Sequence, residues 1–410
     1  MLRTQSQAVT IGLPVISALL AGCALQAATP DVPTASAPDA PTQDKRVSVI
    51  KTPGGGIQPQ TVVDAKGVVH FLYFKGEAGA GDLYYVRREA GKAEFSAPIK
   101  VNSQAGSAIA TGTIRGGQLA VGKNGRVHVA WNGSGKAMPR GQGKYNSPML
   151  YSRLNDAGAA FEDQRNLMRV TETLDGGGTV AADQAGNVYV AWHAQKGGSG
   201  AGEAERKVWL ALSTDDGKTF ADETAINTQP TGACGCCGMR AFVDGSGNAH
   251  FLYRAATNGD GRDMFLLATK DVGKHFTGGV VHKWQINTCP MSSESFAEAP
   301  DGAVYTAWDT DGQVYFARIK PGTSEIGEPM PAPGAGKARK HPAVAINGKA
   351  ELILVWTEDT GWQKGGALVW QVFDRDGRPT EERGRIAGGI PVWGLPAVIA
   401  EKNGTFTVFH

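Results

Sequence analysis

A short segment of alternating apolar positions recurs along the chain. Each copy starts at a turn, usually at a glycine, and ends on an aromatic residue. Residues 67–73, 125–131 and 186–192 are examples. Apolar alternation in β-branched and aromatic residues predicts strands, and a repeat of this length predicts a radial array of small sheets. The sequence therefore predicts an all-β propeller. The closing aromatics, 48 to 61 residues apart, are Tyr73, Trp131, Trp192, Tyr253, Trp308, Trp356 and Phe409.

The third repeat indicates how one unit is built. Residues 179–183 predict a strand, a turn follows at 184–186, and residues 187–192 predict the returning strand. After a glycine-rich loop, residues 207–213 and 223–227 predict two further strands. Four antiparallel strands joined by hairpins are typical of one propeller blade, and their apolar faces are buried only when blades stack.

The number of blades follows from a count of strands. Seven first hairpins are present but only six third strands, and the unmatched hairpin is the C-terminal one at residues 395–409. The segment at 46–51 has the pattern of an outermost strand without a blade of its own. We therefore expect this segment to complete the C-terminal blade and to close a seven-bladed ring. A six-bladed ring would leave one hairpin outside it.

The N-terminal residues have the features of an export signal. Arg3 precedes an apolar run at residues 9–20 that is too short to span a bilayer. The run ends in Leu-Ala-Gly-Cys, which resembles the signal of bacterial lipoproteins, and this resemblance implies cleavage before Cys23 and its lipidation. An ordinary secretory signal with an incidental cysteine is the alternative. Residues 24–45 are rich in Ala, Pro, Thr and Asp without periodicity, which is typical of a flexible tether.

These patterns predict three parts: a signal peptide at 1–22, a lipidated Cys23 with a tether to residue 45, and one propeller domain at 46–410. No aspartate follows Cys23, which in Gram-negative lipoproteins favours the outer membrane, facing the periplasm or the surface. Lys and Arg number 41 against 39 Asp and Glu, so the charge argues against a nucleic-acid partner. The lipid is the expected membrane contact.

Two turns resemble the Asp-box of bacterial neuraminidases, with the pattern Ser-x-Asp-x-Gly-x-Thr-Trp. The better copy spans 213–220 and ends on Phe, and a looser copy spans 269–276. In such a turn the carboxylate accepts backbone N–H bonds and glycine supplies a positive φ. The chain thus resembles the sialidase-like propeller family over nearly all of 46–410, which makes a six-bladed, sialidase-type ring the alternative fold. The Asp-box positions are Ser213, Asp215, Gly217, Thr219, Phe220, Asp271, Gly273 and Phe276.

Two cysteine-bearing loops form the strongest candidate site. Cys234, Cys236 and Cys237 precede the fourth blade, and Cys289 and Met291 precede the fifth. Because both loops enter innermost strands of adjacent blades, we expect their sulfurs to converge at the channel mouth. The pattern Cys-x-Cys-Cys followed by Cys-Pro resembles a subgroup of bacterial sialidase-like proteins. Two disulfides, a metal site and a reactive thiol all remain open. The sulfur ligands suit copper(I); zinc is also open, although the Cys-x-x-Cys spacing of common structural zinc sites is absent.

The arginines depart from the family pattern. Sialidases hold the sugar carboxylate with three arginines, the first in an Arg-Ile-Pro motif, whereas this chain reads Ile-Gln-Pro at 57–59. The departure argues against sialic-acid cleavage. Arg115, Arg240 and Arg339 precede or open innermost strands and predict a different anion clamp, with Arg254 in a neighbouring loop. Solvated or blade-bridging arginines are the alternative interpretation.

Acid–base chemistry has only weak candidates. Glu294, Asp309, His193 and His341 lie in or beside the mouth loops, and spacing alone does not choose an acid and a base among them. The sequence thus predicts an exported lipoprotein whose propeller binds a glycan, a small anion or a metal such as copper at a cysteine-bearing mouth. An exo-α-sialidase or related glycoside hydrolase with a rearranged active site, and a structural or protein-interaction propeller, are the alternatives.

Overall fold

Small β-sheets follow one another around a ring in the computed structural model, which describes residues 46–143, 146–199 and 202–410. The predicted signal peptide, Cys23 and the tether lie outside the described residues. Within them, no helix has the length and apolar character that crossing a bilayer requires. Helical structure is limited there to three short 3₁₀ segments, at Pro53–Gly55, Lys123–Gly125 and Glu203–Glu205.

The strands, numbered in chain order, form seven blades, and β1 (Val47–Ile50) precedes the first. Blade 1 contains β2 (Ile57–Val63), β3 (Val69–Lys75), β4 (Asp82–Arg88) and β5 (Ile99–Lys100). Blade 2 contains β6 (Gln118–Val121), β7 (Val127–Asn132), β8 (Met149–Arg153) and β9 (Arg165–Asn166). Blade 3 contains β10 (Thr171–Glu172), β11 (Thr179–Ala182), β12 (Val188–Lys196), β13 (Lys207–Ser213) and β14 (Thr224–Ala225). Blades 4 and 5 contain β15 (Met239–Val243), β16 (Ala249–Arg254), β17 (Met264–Thr269) and β18 (Thr277–His282); and β19 (Glu294–Glu298), β20 (Val304–Thr310), β21 (Gln313–Ile319) and β22 (Met330–Pro331). Blades 6 and 7 contain β23 (Lys340–Ile346), β24 (Leu352–Glu358), β25 (Gly366–Phe373) and β26 (Pro379–Ile390); and β27 (Ala397–Ala400) and β28 (Phe406–Phe409).

The predicted seven-bladed, all-β propeller is confirmed. Consecutive strands pair antiparallel within each blade, and β10 adds a short fifth strand at the end of β12 in blade 3. All seven closing aromatics of the repeat are buried. In blade 3, Val188, Val190 and Trp192 pack in one apolar cluster with Met149 and Tyr151 of blade 2. The period-two pattern therefore buries its apolar side chains between blades, as the repeat predicts.

The ring closes through the N-terminal strand. β1 pairs parallel with β28, in the register Val47 opposite Phe406, so that blade 7 is a three-stranded sheet in the order β1-β28-β27. The Thr52 N–H donates to the His410 carbonyl at 2.6 Å, and Arg46 forms an ion pair with Glu351 of blade 6. The predicted closure is confirmed, and blade 7 differs from the other blades in having no fourth strand among the described residues.

The turn between β13 and β14 has the bonding of the Asp-box. The Ser213 hydroxyl donates to Asp215 at 2.8 Å, and the Gly217 N–H donates to the Ser213 oxygen at 2.9 Å. Asp215 also accepts the Thr219 amide and hydroxyl, at 2.9 and 2.7 Å, while Gly217 has φ of 73° and Phe220 is buried. Ser213, Asp215 and Thr219 therefore satisfy one another within the turn, which indicates a structural role for them.

The second copy, between β17 and β18, has the same arrangement. Asp271 accepts the Thr269 hydroxyl at 3.0 Å and the His275 amide at 2.9 Å, Gly273 has φ of 75°, and Phe276 packs near Phe251 with ring centroids 6.0 Å apart. Because these turns join third to fourth strands, they lie on the opposite face from the loops that enter first strands. The functional face is thus expected at the loop-rich end.

First strands of all seven blades surround a central channel. Neighbouring first strands contact one another around the ring, including β2 with β27 across the closure. They enclose a cavity of about 950 Å³. Its loop-rich end is lined by Gln58, Thr113, Ser293 and His341, and its far end by the short turns between first and second strands.

Candidate functional site

The structure brings the four cysteines together. Cys236 and Cys289 form a disulfide that joins the loops entering blades 4 and 5, with Cα atoms 6.2 Å apart. Cys234 and Cys237 are reduced and fully buried, with their sulfurs 3.2 Å apart, and Cys234 lies 3.5 Å from the Cys236 sulfur. The sulfurs of Cys234, Cys236 and Cys237 all lie within 4.8 Å of one another. The arrangement is one disulfide beside one dithiol, rather than the two disulfides that were one of the open interpretations.

Close backbone contacts hold the dithiol loop in place. The Cys234 N–H donates to the Arg254 carbonyl at 2.9 Å, and the Gly238 N–H donates to the Ser292 carbonyl at 2.7 Å. Gly177 of blade 3 lies so near that a Cβ there would meet the Cys237 carbonyl at 2.5 Å, and its φ is 60°. Glycine is required at this position because both the space and the backbone conformation exclude a side chain.

A buried cation lies beside the dithiol. The Arg254 guanidinium, 1% exposed, donates to the Ser292 hydroxyl at 3.1 Å, the Arg262 carbonyl at 2.8 Å and the Thr310 hydroxyl at 3.2 Å. It packs over the Trp284 ring at 5.0 Å and forms no ion pair with any described carboxylate. A buried charge without a counterion is costly, so an anion in this neighbourhood is favoured.

The two thiols differ in acidity. Burial opposes ionisation of Cys237, but the hydrogen bond between Cys237 and Cys234, the charge of Arg254 and the hydrogen bonds with Ser292 outweigh it and lower the pKa of Cys237 to about 7. The hydrogen bond with Cys237 and burial raise the pKa of Cys234. Cys237 is therefore the thiol of the pair that ionises first.

Burial raises the pKa of two carboxyl groups at this end of the ring, Glu294 and Asp309. Glu294, at the start of β19, is 3% exposed, and neither carboxyl oxygen has a hydrogen-bond partner among the described residues. Burial and the neighbouring Cys237 raise its pKa well above the ordinary value. Burial also raises the pKa of Asp309, although Lys340 and Arg254 oppose the shift. Glu294 is thus a buried carboxyl at the channel wall that is harder to ionise than an exposed glutamate.

The expected three-arginine clamp does not form. Arg115 pairs with Asp175 at 2.5 Å, and Arg339, 2% exposed, pairs with Glu358 at 3.2 Å and donates to carbonyls of the loop before β23. Both guanidinium groups are therefore held by nearby carboxylates in contacts between blades, Arg115 from blade 2 to blade 3 and Arg339 from blade 6 to Gln313 of blade 5, as in the blade-bridging interpretation. Of the four predicted arginines, Arg240 alone lines the channel.

Arg240 crosses the channel from blade 4 to three other blades. Its guanidinium donates to the Gln60 side-chain oxygen of blade 1 at 2.8 Å, to the Gln118 side-chain oxygen of blade 2, and to the Glu294 carbonyl of blade 5 at 3.2 Å. Every partner is neutral, and the described residues offer Arg240 no ion pair. Burial lowers its pKa to about 10, although Glu294 opposes the shift. Arg240 is therefore a cation in the channel wall without a counterion.

The remaining candidates occupy separate places. His193 donates from Nε2 to the Cys237 carbonyl at 2.9 Å, and burial lowers its pKa to about 4. His341 lines the channel, its Nδ1 lies 3.1 Å from the Ser293 hydroxyl, and burial lowers its pKa to about 3. Both imidazoles are thus neutral at physiological pH. Met291 lies beside Lys340 and His341 in a small cleft at the mouth.

Sequence reasoning missed the polar residues that position Arg240 and the tryptophans at the mouth. Gln60 and Gln118 each lie on a first strand, and a long polar side chain on a predicted channel-lining strand is the signal that would have singled them out. Trp362 and Trp393 fall in loops rather than at the closing positions of the repeat. An aromatic residue outside the repeat pattern is the corresponding signal for them.

Comparisons with known proteins support the fold. No protein-family model matches the chain, and no curated protein matches its sequence. An α-L-arabinanase from Penicillium chrysogenum, solved with arabinobiose, aligns with a TM-score of 0.51 at 14% identity over 78% of this chain and 94% of its own. The Hadza microbial sialidase Hz136 aligns with a TM-score of 0.48 at 13% identity, over 79% of this chain and 69% of its own. The NanB sialidase of Streptococcus pneumoniae has a TM-score of 0.46 at 12% identity, and the alignment covers 85% of this chain and 64% of NanB.

Proposed function

We propose that this protein binds an acidic glycan, or a small organic acid of similar chemistry, in the central channel through Arg240. The observation that carries the proposal is the half-buried, channel-lining guanidinium held only by neutral partners. A carboxylate is the natural bidentate partner of such a group. The Glu294 carboxyl at the same wall has no hydrogen-bond partner among the described residues and supplies a polar group for a sugar hydroxyl. The arabinanase that shares the propeller fold is described in complex with arabinobiose, which supports a sugar as the ligand class.

Binding is a better match to the channel than hydrolysis. A sialidase-type reaction needs a tyrosine nucleophile, and no tyrosine is among the described residues that line the channel. Glu294 has the raised pKa of a general acid, but Asp309 is buried and its Oδ1 accepts the Ser293 amide at 3.2 Å. A glycoside hydrolase with a rearranged site and a protein-interaction propeller remain the alternative functions.

Calorimetric titration with galacturonate, N-acetylneuraminate and neutral arabinobiose tests the binding proposal. We expect the acids to bind, with an affinity that falls as salt is added, and Arg240→Gln to weaken them roughly tenfold to hundredfold, the range for a lost charge-assisted hydrogen bond. Arg339→Gln is the matched control, because it removes a buried arginine that is outside the channel. Equal acid affinity in Arg240→Gln and the parent protein would contradict the proposal.

The cysteine cluster supports a second proposed function, the binding of a soft metal ion such as copper(I). Cys234 and Cys237 supply two buried thiols, and two thiolates with one copper(I) leave a single negative charge that Arg254 balances. Titration of copper(I) against bicinchoninate, with the disulfide left oxidised, tests it. We expect one ion per chain, lost in Cys234→Ser and retained in a double variant with Cys236→Ser and Cys289→Ser, which removes the disulfide without adding a third thiol beside the pair. Unchanged affinity in Cys234→Ser would exclude this pair as ligands.

We further propose that the protein is an outer-membrane lipoprotein anchored through Cys23. The proposal is supported by the sequence at 20–23 and by the position of β1, which begins the ring immediately after the predicted tether. Cys23→Ser is expected to move the protein from the membrane fraction to the soluble exported fraction. A variant that still pellets with outer membranes after a high-salt wash would contradict the anchor.

A further inference from the structure

Two tryptophans form a contact at the rim of the channel. Trp362 lies in the loop between β24 and β25, and Trp393 lies in the loop between β26 and β27. Their ring centroids are 4.7 Å apart, with the ring planes at 80°. Trp362 is 56% exposed, and no other Phe, Tyr or Trp in the described part of the chain is exposed. An exposed indole of this kind has no role in the core and needs another explanation.

The rim tryptophans adjoin the channel directly. Trp393 borders the small cleft that also contains Thr113 and His341, and both of these residues line the channel as well. The Trp393 carbonyl accepts a hydrogen bond from the Gln58 side chain at 2.9 Å, and Gln58 is another channel residue. Trp362 lies on the same side, because a Cβ on Gly112 of this cleft would be 3.8 Å from its ring. A ligand that leaves the channel at this rim therefore meets the indole pair.

Backbone strain is concentrated around this cleft. Four of its non-glycine residues have left-handed backbone conformations: Thr113 (φ 66°), Met291 (φ 47°), His341 (φ 52°) and Trp393 (φ 61°). Such conformations cost on the order of 1 kcal/mol or more for residues with a Cβ, and they persist where the surrounding structure imposes them, often at ligand-binding sites. The four residues come from three loops and from the start of β23, so several blades of the ring hold this rim in a fixed shape.

Positive charge accompanies the aromatic pair. Lys340 and Lys364 both line the cleft, and neither forms an ion pair with a described carboxylate. The Lys340 ammonium donates instead to the Pro290 carbonyl. The rim therefore combines an exposed aromatic face with two unpaired cations, which matches a ring-shaped ligand that carries negative charge.

We propose that Trp362 and Trp393 form a sugar-stacking subsite, and that the ligand is an oligosaccharide of carboxylated sugars rather than a single acid. The inference rests on the proposed function of the channel: one acidic sugar binds at Arg240, and the chain continues over the rim. The C–H face of a pyranose ring packs on the exposed face of Trp362, and Lys340 and Lys364 contact the carboxylate of that ring. Binding sites commonly combine aromatic walls with a few fixed polar groups in this way.

The test uses oligogalacturonides of one to four residues as probes, with sialyllactose as a second acidic glycan and neutral arabino-oligosaccharides as the uncharged series. We expect affinity to rise with oligogalacturonide length and the neutral series to bind more weakly. Trp362→Ala is expected to weaken the longer chains roughly tenfold, the scale of one lost aromatic contact, and to leave the monosaccharide unchanged. Trp362→Phe restores most of the loss. Iodide quenching of Trp362 fluorescence falls when the longer chains bind.

The outcomes separate the subsite from the channel site. Because Trp362 is exposed, its replacement leaves the core intact, and Val280→Ala, which removes an apolar side chain that is 45% exposed on β18, is the matched control. If Trp362→Ala binds the longer chains as the parent does while Arg240→Gln loses them, the subsite is wrong and the channel site stands. If Arg240→Gln has no effect on any probe, the proposed function is wrong. Absence of binding by every acidic probe overturns both.

Discussion

If the N-terminal strand closes the ring, replacement of one buried valine in that strand should lower the stability of the protein. Val47 is 5% exposed and packs in the apolar cluster of blades 6 and 7 with Phe406 and Val408. Ile50, in the same strand, points to the other face and is 40% exposed. Val47→Ala and Ile50→Ala therefore compare a closing contact with an exposed position while they leave the backbone pairing with β28 intact.

The expected loss of unfolding free energy follows from the apolar volume that each variant removes. Val47→Ala removes two methyl groups, worth about 1.6 kcal/mol at about 0.8 kcal/mol each, and a partly unfilled cavity brings the loss to about 2 kcal/mol. With an unfolding entropy of about 2.1 cal/mol/K per residue over about 365 residues, the melting temperature falls by about 2–3 °C. Ile50→Ala is expected to cost less than about 0.5 kcal/mol and to shift melting by under about 1 °C.

Thermal unfolding followed by circular dichroism measures both variants under identical conditions. Deletion of residues 46–51 extends the comparison, because it removes the ladder to β28 and the Arg46–Glu351 ion pair and leaves the edge of β28 unpaired. We expect this deletion to lower the melting temperature more than Val47→Ala and to promote association. Equal melting of Val47→Ala and Ile50→Ala, or an unaffected deletion variant, would refute closure by this strand.

Three further predictions concern the dithiol loop and the Asp-box turn. Gly177→Ala should lower the free energy of unfolding by about 2 kcal/mol or more, and Gly198→Ala by about 1 kcal/mol. Both glycines have a positive φ, but only a Cβ at Gly177 would meet other atoms. Urea unfolding of the two variants measures the difference. Since the folded pKa of Cys237 is depressed to about 7, its thiolate contributes stability that is lost as pH falls through 7. The melting temperature should therefore rise from pH 7 to about pH 8.5 in the parent and not in Cys237→Ser. Asp215→Ala, which unpairs the Thr219 amide and hydroxyl, should cost about 1–2 kcal/mol, whereas Asp222→Ala at an exposed ion pair should cost under about 0.5 kcal/mol.

The repeat pattern predicted the ring because each of its signals is local. Alternation within a strand and a glycine at a turn depend on neighbouring residues only, and seven copies repeat the same information. Closure was predictable for a related reason, since 46–51 had a strand pattern and one blade had a vacant edge. Convergence of the cysteine loops followed from topology, because loops that enter adjacent first strands end side by side.

The pairing of the cysteines and the hydrogen-bond partners of the arginines could not be predicted in this way. The Cys236 sulfur lies within 4.8 Å of the Cys234 and Cys237 sulfurs and yet bonds to Cys289 of the neighbouring loop, a choice that depends on the folded positions of both loops. The direction of an arginine depends on partners that are remote in sequence: Asp175 lies 60 residues from Arg115, and Gln60 lies 180 residues from Arg240. Such partners become neighbours only when the ring has formed, and no periodic signal marks them.

The Cys236–Cys289 disulfide has a practical consequence for anyone who handles this protein. It fastens the loop that enters β15 to the loop that enters β19, and the next residues along those strands include Arg240 and Glu294. A thiol reductant in the buffer reduces that disulfide and leaves four free thiols at one end of the channel. Protein prepared with dithiothreitol and protein prepared without it are thus two chemical species at the mouth, and the oxidation state of each sample has to be fixed before its affinities are compared.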